Sequence, residues 1–113
     1  MGERKWSKMD TAAVANSAES SRRHAGRTGP YVLAAVISSY RGLAQWRRKD
    51  AESHRATAAH YRSHFQDEAT GQHFDVLAIG REHDAKRFDV VADRLAAGDL
   101  PPGAFRDDEV PRG

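Results

Sequence analysis

The chain has no cysteine. That excludes a disulfide framework, zinc or iron–sulfur ligation by thiolates, and a cysteine nucleophile. No apolar run approaches the roughly 18 residues of a membrane-spanning helix. Residues 1–20 also lack the apolar core of a secretory signal, so the cytoplasm is the expected location. Glycine is missing where several enzyme classes need it. There is no Gly-x-Ser-x-Gly elbow, and Gly26-Arg27-Thr28-Gly29-Pro30 lacks the spacing and the lysine of a phosphate loop. The serines fall in helical or capping contexts. Asp84 is the one carboxylate on an apolar stripe, and one carboxylate is poor ground for acid–base chemistry. These absences point to a protein that is not an enzyme and uses no cofactor.

What is present is charge and alanine. Of 113 residues, 30% are charged and 39% hydrophobic, and much of the hydrophobic share is alanine. That length suits one small domain, and a core built from alanine is marginal unless a partner adds to it. The net charge of +2 hides an asymmetry. Residues 1–60 carry +6 and residues 61–113 carry −4, so the two parts attract, within one chain or between copies.

Periodicity predicts an all-α fold: a long antiparallel helical hairpin with a shorter N-terminal helix, completing a bundle by dimerisation. Residues 1–9 read as a flexible segment unless Trp6 docks. Asp10 is the expected cap of a first helix over about 11–24, whose apolar content, Ala12, Ala13, Val14, Ala15 and Ala18, is a weak stripe. Pro30 suits the first turn of a second helix over about 31–67. Its stripe is Leu33, Ile37, Tyr40, Ala44, Arg47, Ala51, His54, Ala58, Tyr61 and Phe65, at spacings of three and four. At 1.5 Å per residue this helix would be about 50 Å long. A turn centred on Gly71 leads to a third helix over about 73–97, with the stripe Phe74, Leu77, Arg81, Asp84, Phe88, Val91 and Leu95. Gly98 ends it, and Pro101 and Pro102 forbid continuation. Residues 10–98 thus form one helical domain, and the polar stretch 99–113 reads as a disordered tail or a docking arm.

Folding the hairpin about a turn near residues 69–71 pairs Phe65 with Phe74, Tyr61 with Leu77, and His54 with Asp84. The last would be a buried polar pair that sets helix register. His60 and His64, one turn apart with Asp67 following, form a candidate metal site, although two histidines and one carboxylate do not close a zinc shell. Arg41, Arg48 and Arg55 share a heptad position and make a basic ridge of about 20 Å. With Arg47, Lys49, Arg22 and Arg23 they are candidate nucleic-acid contacts.

The leading expectation is a non-catalytic protein–protein interaction module: a regulator, adaptor, inhibitor or assembly component. Val36, Tyr40, Leu43, Trp46 and Trp6 supply more apolar surface than a two-helix hairpin covers. A second copy of the chain, another protein, or both would bury it. A nucleic-acid-binding protein and a metal-binding bundle are the alternatives, and no membrane partner is expected.

Overall fold

The computed structural model describes residues 5–111. Three helices follow one another: α1 (Lys8–His24), α2 (Pro30–His64) and α3 (Glu68–Ala96), with a short 3₁₀ turn at Asp107–Glu109. No strand occurs among the described residues, so the all-α expectation holds. No helix among them is long and apolar enough to cross a membrane. The expectations for residues 1–4 and 112–113 lie outside the described residues.

The helix boundaries follow from caps that periodicity does not reveal. α1 starts three residues earlier than expected because Ser7, not Asp10, caps it. The Ser7 hydroxyl accepts from the Asp10 amide at 3.0 Å. At its far end Gly26 takes a left-handed φ of 61°, and the Arg27 amide donates to the Ser21 carbonyl.

The turn between α2 and α3 corrects the sequence reading more substantially. It lies at residues 65–67 and not at Gly71. Asp67 caps α3: its Oδ1 accepts from the Thr70 amide at 3.0 Å and its Oδ2 from the Thr70 hydroxyl at 2.6 Å. Gln66, at φ 51°, turns the chain just before this cap. Gly71 instead sits buried inside α3, where a Cβ would come within 2.9 Å of the Arg62 side chain. Glycine there makes room for Arg62, which pairs with Glu68 and, at 2.8 Å, with Asp75. A glycine that looked like a chain breaker is a close-packing position.

Contacts divide the chain into two compact units. The first comprises α1, α2 through Tyr40, α3 from Val91, and the C-terminal segment. Its core holds Val14, Ala18, Val32, Val36, Ala92 and Leu95, with Tyr40 nearly enclosed. The C-terminal segment belongs to this core, which overturns its reading as a disordered tail and agrees with the docking-arm alternative. Ala104 is buried, and the Glu109 side chain is only 2% exposed. The physical reason is a charge pair. Arg22 of α1 donates through Nε and Nη2 to the two carboxylate oxygens of Glu109, both at 2.6 Å, and through Nη2 to the Ala104 carbonyl at 3.2 Å.

The second unit spans residues 41–90 and consists of the facing parts of α2 and α3. Its fully buried side chains are all alanine: Ala44, Ala51 and Ala58 on α2, and Ala78 and Ala85 on α3, each seven apart along its helix. The α2 stripe matches the sequence reading. On α3 the seam lies one position further along, at Ala78 and Ala85 rather than Leu77 and Asp84. Alanine permits close helix approach, while the longer side chains lie half-buried on the flanks. An alanine seam buries little area per residue, so this unit gains less from hydrophobic transfer than its length suggests.

Candidate functional site

The five residues expected to form an apolar interaction face separate into two groups. Val36 and Tyr40 are consumed by the core of the first unit. Burial pushes the Tyr40 hydroxyl pKa up, with the negative charge of Asp10 adding to it. Trp6 docks within the same unit. The Arg94 guanidinium lies 3.9 Å from the indole centroid, and the Trp6 Nε1 donates to Asp99 at 3.1 Å. Asp99 also accepts from Arg94 Nε at 2.7 Å. These three residues are therefore corrected from candidate contacts to internal anchors. Nothing in the local sequence marks that fate, because α1 and the C-terminal segment supply the cover. Leu43 and Trp46, in the second unit and one helical turn apart, remain outside. Trp46 is 71% exposed and Leu43 42%.

The basic ridge is largely paired with α3. Arg55 meets Glu82 at 2.7 Å, and Arg48 meets Asp89. Arg41 also has an interaction within the chain. Outside this ridge, Arg22 is held by Glu109 and Glu19, and Arg23 by Glu19. Lys49 is exposed, while the Nε of half-buried Arg47 lies buried without a hydrogen-bond partner among the described residues. Arg81 Nε lies 3.4 Å from Asp50 Oδ2, an ion pair without a well-formed hydrogen bond. The opposite charges of the two chain regions thus meet inside the protein, helix against helix.

The His54–Asp84 pair does not form. The His54 ring lies against Phe74 instead, with centroids 5.9 Å apart, and no hydrogen bond or ion pair joins the two residues. The reason is the displaced turn. With the chain reversing at residues 65–67, the α3 partners of Arg62, Arg55 and Arg48 each fall about two positions earlier than a turn near residues 69–71 requires. The same shift stacks Tyr61 on Phe74, at 5.8 Å, and leaves Phe65 65% exposed.

The candidate metal site is not assembled. His60 and His64 stack on each other with centroids 4.3 Å apart, as their spacing implied. Asp67, however, spends both carboxylate oxygens on Thr70. The Thr70 hydroxyl, and then its amide, hold that carboxyl below the usual carboxylate range. No group of three or more metal-ligating side chains occurs among the described residues.

Sequence reasoning missed the Arg22–Glu109 cluster altogether. The Arg22 guanidinium holds the Glu109 carboxyl well below its ordinary range, and burial opposes this more weakly. No local pattern announces a contact between residues 87 positions apart. Comparison with known proteins finds no matching family model, curated protein or solved structure.

Proposed function

We propose that this chain is a non-catalytic helical interaction module whose contact is centred on Trp46 with Leu43. The observation that supports this reading is the exposure of Trp46, at 71%, on an ordered helix whose other large apolar side chains are mostly covered. Tryptophan is the residue most enriched among binding hot spots, and its burial removes about 150–250 Å² from water. At about 25 cal/mol per Å² that transfer is worth roughly 4–6 kcal/mol before the costs of association. The nucleic-acid reading has less support, because Arg22, Arg23, Arg48 and Arg55 already face carboxylates.

The simplest partner is a second copy, as expected from a small chain with a thin core. Only two tryptophans are present, so a Trp6→Phe background isolates the emission of Trp46. On raising the concentration through the micromolar range, the emission shifts to the blue while light scattering reports a dimer. Trp46→Ala weakens the dimer by at least about 30-fold, the loss of one hot spot of about 2 kcal/mol. A strict monomer at about 100 μM with red-shifted Trp46 emission would remove self-association from the reading.

A further inference from the structure

The first unit contains a cleft of about 470 Å³ that no part of the foregoing uses. The end of α1 lines one wall with Ser20, Ser21 and His24. α2 lines the other with Ser38 and Ser39 over alanine, and the connector contributes Arg27. The cleft exists because the facing positions carry only serine and alanine. Such short side chains do not fill the space between two helices, whereas a packed interior would be filled by larger ones.

The chemistry of the lining is one-sided. Its lining residues are four serines, one histidine, one arginine and three alanines, all but Ser21 and Ala35 exposed, and no acidic residue is among them. Glu19, the acidic residue closest in sequence, is bound to Arg22 and Arg23. Arg27 is carried to the cleft by the backbone. Gly26 adopts a left-handed φ of 61°, and the Arg27 amide closes onto the Ser21 carbonyl at 3.2 Å. Among the described residues its guanidinium makes no hydrogen bond or ion pair, in contrast to Arg22 and Arg23 on the same helix end. The His24 Nδ1 lies 3.5 Å from the Ser20 hydroxyl, which orients the ring. No phenylalanine, tyrosine or tryptophan lines the cleft, so there is no aromatic platform on which a nucleobase would stack.

We propose that this cleft binds a small polyhydroxylated phosphate ester, of which a sugar phosphate is the simplest case. Arg27 takes the phosphoryl oxygens in its planar fork, with His24 as a second donor. The serine hydroxyls, each both donor and acceptor, match the hydroxyls of the ligand. This inference is independent of the Trp46 contact, which lies in the other unit.

The test is a ¹⁵N-resolved NMR titration of the full chain with glucose 6-phosphate at physiological salt. Saturable shifts are expected at the amides of Ser20, Ser21, Arg27, Ser38 and Ser39. Inorganic phosphate binds the same residues at least about 10-fold more weakly, because it lacks the hydroxyls. Arg27→Gln weakens glucose 6-phosphate by at least about 10-fold, and Ser38→Leu, which fills the cleft, does the same. Circular dichroism verifies that both variants keep the wild-type melting curve. Trp46→Ala leaves the titration unchanged, which separates this site from the interaction face. Non-saturating shifts, shifts scattered over other arginines, or full binding by either cleft variant would overturn the proposal. Equal affinity for inorganic phosphate would likewise overturn it, leaving only a site of generic positive charge.

Discussion

Replacing Glu109 by alanine tests whether the C-terminal segment is held by its charge pair. The carboxylate is 2% exposed and accepts three hydrogen bonds: Arg22 Nε and Nη2 at 2.6 Å, and the Arg106 amide at 2.8 Å. Removing it leaves those Arg22 donors without a charge partner, while the Arg22 side chain is itself only 16% exposed. Breaking a buried pair by deleting one partner costs about 3–5 kcal/mol. Glu19 still holds Arg22 Nη1, at 2.9 Å, so the lower end of that range, about 3 kcal/mol, is expected. With about 2.1 cal/mol/K of unfolding entropy per residue, that is a fall in Tm of more than about 10 °C. Thermal denaturation reads the fall, and amide exchange across residues 104–110 locates it. Glu109→Gln keeps the shape and the acceptor but not the charge, and falls between the two. The pH dependence has a definite sign. The folded Glu109 pKa lies below its ordinary value near 4.5, so its stabilisation is complete above that value and is lost as pH falls through the folded pKa. Glu109→Gln therefore flattens the acid limb of the stability profile. A Glu109→Ala protein melting within about 2 °C of wild type would refute the reasoning, since the segment would then be held by its other contacts, Asp99 with Trp6 and Arg94 and the Ala104 carbonyl with Arg22.

Two further outcomes are expected. Gly42→Ala and Gly80→Ala lie in helix interiors where an added Cβ meets nothing within 4 Å. Each raises the free energy of unfolding by about 0.5–1 kcal/mol, read from the denaturant midpoint, and a loss of stability would show that the helix must bend there. Random duplex DNA gives no anisotropy change with the wild-type chain at about 50 mM salt. The double variant Glu82→Gln, Asp89→Asn releases Arg55 and Arg48 and gains salt-sensitive binding. Tight wild-type binding with a steep salt slope would reinstate the nucleic-acid reading.

Much of the architecture was legible along the chain. Pro30 starts α2 and Gly98 follows α3, because proline and glycine act on the backbone where they stand. The α2 stripe through Ala44, Ala51 and Ala58 was legible because helical periodicity is itself local. The turn before α3 is set by Asp67-x-x-Thr70, a capping pattern present in the sequence, and not by Gly71, and its position undoes the expected His54–Asp84 and Phe65–Phe74 pairings.

The interaction face was a different case. Of Val36, Tyr40, Leu43 and Trp46 along α2, Tyr40 alone lies on the periodic stripe, and no sequence mark separates the covered Val36 from the exposed Leu43 and Trp46. Their fates differ because α1 and the C-terminal segment close the first unit, and closure depends on residues far away in the chain. The pairing of Arg22 with Glu109 across 87 positions is of the same kind, as is Trp6 against Arg94. The sequence by itself determined three helices, the proline that opens α2, the glycine that follows α3, and the alanine positions of the α2 stripe. Only the tertiary structure decided which aromatic side chains stay in water, Tyr31, Trp46 and Phe65 among them, since burial is a property of what arrives from elsewhere and not of the residue's own neighbours.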